Sequence, residues 1–268
     1  KSTTMKLLCG MLVQGAGEIS VLGMSPRRHR VHLMRRLGVL FGNRAELWGD
    51  HPVSQSFEWK RVVWDIPEDV YRRNLALVTD LLDLSGLTGT FVRELSLGQR
   101  MRADLALMLL HDPELILLDE PTLGLDDVAK RQMIDFLKKL NREKGVTIVV
   151  TSHDMDDLEE MAQRVLMVSS GHIVYNGDFD GLRRISGSLS RLSLTMSDGQ
   201  VPEIENARML SAEHGVYVFE VDLDTMPVQE LLRRVSRIDE VRDVELGKAP
   251  IEEVIAGLYQ RWHGSGVD

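Results

Sequence analysis

Two carboxylates sit side by side at the end of an apolar run in LILLDEP (115–121). Such a run, ending in Asp119-Glu120, reads as a strand of a parallel sheet buried on both faces. Its acids then lie at the C-terminal edge, where ligands bind in such folds. Asp119 is placed to hold Mg2+ through water. Glu120 is placed to orient or deprotonate an attacking water, as phosphoryl transfer requires. A second feature opens the chain, in KSTTMKLLCG. Lys1 followed by Ser2 and Thr3 before a helical pattern matches the end of G-x-x-x-x-G-K-[ST], where the lysine reaches phosphates and the next hydroxyl meets Mg2+. The glycines of that motif are not in the sequence. A third feature is LSLGQRMRADLALMLLHDPE (95–114). Ser96 and Gln99 ahead of an apolar helical face satisfy the capping-box pattern. A fourth is Ser152-His153 after VTIVVTS.

These residues need a frame. Met5, Leu8, Cys9 and Leu12 recur at i, i+3, i+4 and i+7, so an amphipathic helix is expected over 4–13. EISVLG (18–23) reads as a short strand, 26–36 as a basic helix and LGVLFG (37–42) as a buried strand. Residues 43–66 read as irregular, and so long a connection is usually functional. Helices are expected over 67–84, 97–111, 128–143 and 154–162, with buried strands at 115–119 and 146–152. A hairpin over 165–177 turns at Ser170-Gly171. Strands alternating with helices indicate an α/β fold with a largely parallel sheet. After the polar linker SGSLS, strands at 192–196, 216–222 and 241–246 and helices at 227–238 and 250–262 form a small α+β unit. The expected domains are 1–185 and 188–268.

Bulk properties exclude several classes. The 268 residues carry a net charge of −9, which argues against a nucleic-acid binder. Cys9 is the single cysteine, so no intramolecular disulfide forms. No apolar stretch reaches the ~20 residues of a membrane helix. His29-x-x-His32 lacks a third ligand. The basic run Arg27, Arg28, Arg30, Arg35 and Arg36 reads as a solvated face or a contact with anionic headgroups.

In order and separation, LSLGQ, LILLDE, LGLD (123–126) and Ser152-His153 resemble the ATP-binding cassette (ABC) ATPases, over residues 1–180. LSLGQ resembles the family signature LSGGQ, LILLDE its Walker B strand, LGLD its D-loop and His153 its switch histidine. The resemblance implies a P-loop NTPase fold of the cassette type, with a mostly parallel sheet and a helical subdomain. It implies two subunits, expected as a homodimer, that sandwich two ATP molecules with Mg2+. Lys1, Ser2 and Thr3 would then hold phosphate in one subunit, with Ser2 and Asp119 on the metal. Glu120 would be the base and His153 the sensor of the γ-phosphate. Ser96, Gly98 and Gln99 would act on the nucleotide of the partner, and Asp126 of the D-loop would also bind nucleotide.

The same resemblance implies a separate integral-membrane permease, no nucleic acid, and a place on the cytoplasmic face of the membrane. FGNRAELWGDHP, LSLGQRMR and HDMDDLEE look like the ATPase subunits of ABC-2-type, daunorubicin-resistance-like exporters. Trp48, Trp59 and Trp64 fall where that family receives its permease, and each reads either as an interface anchor, a typical role of aromatics, or as core.

Two positions depart from the family pattern. Leu97 replaces a glycine. Asn43 replaces a glutamine that touches metal and water, and it is about one methylene, ~1.3 Å, shorter against a Mg2+–O distance of ~2.1 Å. Slower hydrolysis or weaker coupling is expected. Two other readings compete. A DNA-repair cassette would carry a coiled coil between residues 3 and 95, where no heptads occur, and translation factors usually carry two cassettes. Alternatively, the 268 residues form an inactive fragment of a protein cut at Lys1. One helix N-terminus contributes about 0.3–1 kcal/mol to an anion, against about 4.1 kcal/mol for millimolar binding. The chain alone is therefore expected to bind ATP poorly.

Overall fold

The computed structural model describes residues 1–41, 46–186, 189–197 and 201–264. They fall into two compact units, Lys1–Met161 and Ala162–Asp268.

The first unit is built on three parallel strands, β1 (Leu37–Phe41), β2 (Leu115–Asp119) and β3 (Thr147–Thr151), in the order β1-β2-β3. In register, Phe41, Asp119 and Thr151 stand abreast at the C-terminal edge. β2 is central, and Ile116, Leu117 and Leu118 are fully buried. Alternation sends Ile116 and Leu118 into one core and Leu117 into another.

The larger core lies under α5 (Leu97–Leu109) and α6 (Asp127–Lys144). α5 begins with the expected capping box and is buried along most of its length, from Met101 to Leu109. α6 is capped by Asp126, buries Met133, Phe136, Leu137 and Leu140, and ends at Gly145 in the left-handed region, φ +65°. The second core joins Met5 and Cys9 of α1 (Ser2–Leu8), Leu33 of α2 (Arg30–Met34), and Leu37 and Leu117. α4 (Glu68–Leu81) follows Pro67 and starts with two acids, a favourable helix opening. α7 (Met155–Met161) follows β3.

Several expectations are corrected. The first helix stops at Leu8, and Leu12 is exposed, because the chain turns at Gly10, φ +71°, whose added Cβ would strike the Pro26 carbonyl at 2.7 Å. EISVLG is not a strand; Leu22 and Gly23 take positive φ and close a single bridge between Val21 and Met24. Residues 43–66 are not wholly irregular, since α3 (Val53–Val63) starts after Pro52 and buries Val53, Ser56, Phe57 and Lys60. β3 is not buried on both faces: it is an edge strand, and Val149 is 37% exposed.

The second unit opens with a hairpin, β4 (Val165–Ser169) and β5 (His172–Gly177), turning at Ser170 and Gly171, both with positive φ. Next come α8 (Phe179–Ser186), β6 (Leu189–Met196), β7 (Ala207–Glu213), β8 (Val216–Asp222), α9 (Val228–Val235), β9 (Val241–Lys248) and α10 (Ile251–Gly264). Four strands form an antiparallel sheet in the order β7-β8-β6-β9. Leu192, Leu194, Phe219 and Val221 pack there with Leu231 and Val235 of α9. β7 was not anticipated from the sequence, because ARMLSAE is exposed at six of seven positions and carries no apolar alternation.

Candidate active site

The C-terminal edge of the three-stranded sheet gathers Lys1, Asp119, Glu120, Thr151, Ser152 and His153. β2 ends at Asp119, one of whose oxygens, Oδ1, accepts the Thr151 hydroxyl at 2.6 Å from the paired strand. Glu120 is in the left-handed region at φ +58°, an uncommon conformation for a residue with a Cβ. Its N–H still donates to the Thr151 carbonyl at 3.0 Å, so the bend is anchored to β3. The Glu120 carboxylate accepts the His153 backbone N–H on Oε2 at 2.9 Å, and the His153 ring Nε2 lies 3.3 Å from Oε1. The Glu120 side chain is 15% exposed and that of His153 79%, so a sheltered carboxylate faces a free ring.

Lys1 precedes α1, and its Nζ donates to the Ser152 carbonyl at 2.6 Å. The ammonium therefore stands on the turn that presents His153. Ser2 and Thr3 occupy the exposed first turn of α1. Asn43 lies outside the described residues.

Ser96, Gly98, Gln99 and Asp126 are gathered elsewhere. They line a cavity of about 720 Å³ between α5 and α6, which none of Lys1, Ser2, Asp119, Glu120 and His153 lines. Ser96 Oγ accepts the Gln99 N–H at 3.3 Å and Gln99 Oε1 accepts the Ser96 N–H at 2.9 Å. Asp126 Oδ1 accepts the Ala129 N–H at 2.8 Å. Two helix N-termini thus meet at one opening, an arrangement that favours anions. Leu97 packs towards Gly124, where an added Cβ would meet its Cδ2 at 3.4 Å.

Among the described residues, no three His, Cys, Asp or Glu side chains converge as a metal cage. Asp119 Oδ1 is engaged by the Thr151 hydroxyl, and Oδ2 accepts no hydrogen bond among the described residues. One carboxylate and one hydroxyl, Asp119 and Ser2, suit a hard ion that takes its remaining ligands from phosphate and water, the usual state of Mg2+ in nucleotide sites.

Sequence reasoning missed the supports. Asp104 of α5 is buried with Oδ1 lacking a hydrogen-bond partner among the described residues, and burial pushes its carboxyl up to about 6 against the opposing charge of Arg100. Lys60 is 2% exposed, pairs with Glu46 at 3.1 Å and lies 3.7 Å over the Trp64 ring. Burial depresses the Lys60 ammonium. His111 stacks on Trp64, its Nε2 lies 3.1 Å from the Leu37 carbonyl, and burial lowers its pKa to about 4. Trp64 is thus a packed residue, whereas Trp48 and Trp59 are exposed and in contact, centroids 5.1 Å apart. A lysine on the α3 face that also carries Phe57 was the only sign of this cluster in the sequence.

Comparison with known proteins gives concordant matches. The family model described as "ABC transporter" matches residues 1–123. The probable multidrug ABC transporter ATP-binding protein YbhF of Escherichia coli (strain K12) is 30% identical over 206 residues, covering 77% of this chain and 35% of YbhF. The chain therefore spans about a third of that relative's length. The phosphonates import ATP-binding protein PhnC of Trichormus variabilis is 31% identical over 190 residues, covering 68% of this chain and 78% of PhnC. A solved dimeric post-hydrolysis state of the ATP-binding cassette MJ0796, bound to ADP and Pi, superposes with a TM-score of 0.57 over 66% of this chain and 79% of that one, at 21% identity. That likeness shows a common fold. With more than three quarters of PhnC matched at this identity, and the family model in agreement, the chain belongs to the ATP-binding proteins of ABC transporters.

Proposed function

We propose that the protein binds ATP with Mg2+ between two copies and hydrolyses it to ADP and phosphate, driving a separate membrane permease. The observation that carries this reading is the joint placement of Lys1, Glu120 and His153 around one turn. Lys1 supplies positive charge to the β- and γ-phosphates. Bound Mg2+ would neutralise phosphate charge, held by Asp119 and the Ser2 hydroxyl. Glu120 accepts the proton of the attacking water; its Oε2 is fixed by a backbone N–H, so Oε1 is the oxygen available for that task. His153 lies against Oε1 and is exposed enough to turn towards the γ-phosphate.

The cavity at Ser96, Gly98, Gln99 and Asp126 supports the second half of the reading. Lying apart from Lys1 and Glu120, it suits the nucleotide of a partner subunit. The exposed Trp48–Trp59 pair suits the permease. YbhF is named a probable multidrug protein and PhnC a phosphonates import protein, so the relatives' names do not share one substrate. The ABC-2-like stretches FGNRAELWGDHP and LSLGQRMR favour export. In this reading the protein is a homodimer on the cytoplasmic face of the membrane, and the residues after the SGSLS linker are accessory.

The test is phosphate release by the full-length protein reconstituted with its membrane partner. ATP-dependent release is expected, as is ATP-dependent dimerisation of Glu120→Gln by light scattering. Release unaffected by Glu120→Gln would overturn the assignment.

A further inference from the structure

The turn that carries His153 is gripped from its far side by a residue with no part in the reading above. Lys130 lies in α6, four residues after the cap Asp126. Its Nζ is 2.5 Å from Asp154 Oδ2 and 3.2 Å from Asp157 Oδ2. Asp154 closes the turn: its N–H donates to Ser152 Oγ at 3.0 Å, and its Oδ1 accepts the Asp157 N–H at 3.1 Å. Ser152 in turn accepts Lys1 Nζ on its carbonyl, and His153 donates its N–H to Glu120. A continuous chain of polar contacts therefore runs from α6 through Asp154 to both sides of the proposed reaction centre.

The surroundings make Lys130 hard to replace. Asp157 Oδ2 is buried, and the Lys130 ammonium, 3.2 Å away, is its one ion-pair partner among the described residues. Removing one partner of a buried ion pair leaves the other uncompensated. The hydrogen bond between Lys130 and Asp154 raises the pKa of the lysine and lowers that of the carboxyl, so both stay charged near neutrality.

We infer that Lys130 is a positioning residue for hydrolysis, fixing Asp154 and Asp157 and thereby the Ser152–His153 turn against Glu120. Because Asp126 and Lys130 belong to the same end of α6, a partner engaging Asp126 pulls on the turn that holds His153. This inference rests on the proposed ATPase activity.

The test uses the full-length protein with its membrane partner and measures kcat, KM for ATP and Tm. Lys130→Ala is expected to lower kcat by about 10–100-fold, the effect of a small misplacement of reacting groups, with KM changed less than about threefold. Lys130→Arg, which keeps the charge, should restore kcat to within about threefold. In a His153→Ala background, Lys130→Ala should cost little more, since residues acting through one another are non-additive. A kcat within twofold of wild type in Lys130→Ala, or full additivity with His153→Ala, overturns the inference. Should Lys130→Ala fail to fold, Asp154→Asn carries the same expectation and the same disproof. Glu120→Gln separates the two levels. If it leaves release intact, the ATPase reading falls. If it abolishes release while Lys130→Ala does not lower it, only the role of Lys130 falls.

Discussion

Glu120 and His153 are joined twice, once through the histidine backbone N–H at 2.9 Å and once through its ring at 3.3 Å. The two contacts differ in kind. The backbone contact belongs to the turn and persists whatever the ring does. The ring contact is broken by a single side-chain rotation. In the proposed mechanism Glu120 would thus keep its aim if His153 turned to a phosphate.

Glu120→Gln should therefore lower phosphate release at least about 100-fold, the usual contribution of a positioned general base. His153→Ala should also cost release, while its backbone N–H still holds Glu120 Oε2. Nucleotide binding, read by equilibrium titration, should survive both changes. Loss of binding in Glu120→Gln would place that carboxylate in the binding step.

Ser96 caps α5, and one pair of variants separates that from its proposed role at the partner's nucleotide. Ser96→Ala removes the cap of a helix that runs through the core, and should cost about 1 kcal/mol, seen as a fall in Tm of about 2–4 °C. Ser96→Asp keeps the cap but places negative charge at the cavity shared with Asp126. It should retain Tm yet lose ATP-driven dimerisation. Normal dimerisation of Ser96→Asp would remove Ser96 from the partner's nucleotide site.

Asp104 and His111 make opposing contributions to the pH dependence of stability. Asp104 titrates at about 6 in the fold, above an ordinary aspartate. Between about pH 4 and 6 the native state holds a proton that the unfolded chain has lost, so this group makes stability fall as pH rises. His111 titrates at about 4, below an ordinary histidine. Over about pH 4 to 6.5 the unfolded chain holds the extra proton, so stability rises with pH. Each contribution is at most about 3 kcal/mol. Asp104→Asn removes the first and leaves the second. Urea unfolding at pH 4.5 and 6 should show stability rising more steeply with pH in the variant than in wild type; equal slopes would refute the buried-acid account.

Much of the first unit was legible because its signals are local. An unbroken apolar run such as LILLD admits little besides a buried strand, and Ser96-x-x-Gln99 before apolar periodicity specifies a helix start. Order along the chain then carried Glu120, His153 and Asp126. What was not legible depends on contacts distant in sequence. Lys60 and Asp104 look like ordinary polar positions on amphipathic helices until the loop at 46–47 folds over them. VTIVVTS reads as fully buried, but burial depends on neighbours, and among the described residues β3 pairs with β2 alone. Trp64 follows α3 and His111 follows α5, and only the packed fold shows that their rings meet, whereas Trp48 and Trp59 stay partly exposed.

The Trp48–Trp59 pair should behave as an anchor. Replacing both with alanine should weaken co-purification with the membrane partner at least about tenfold, as loss of an interface hot spot does. Each residue is still more than half buried, at 39% and 37% exposure, so Tm should fall as well, and co-purification is measured below the Tm of the variant. Undiminished co-purification would assign the pair to the surface alone.

The reciprocal Ser96–Gln99 bonds have a kinetic meaning as well. Both rungs are closed within a single chain, so the segment facing the cavity is ordered before any second subunit arrives. Association then need not freeze it, which removes part of the entropy loss that slows and weakens encounters between surfaces. The rigid half of such an encounter is already built, and the speed of engagement is left to the opposite face.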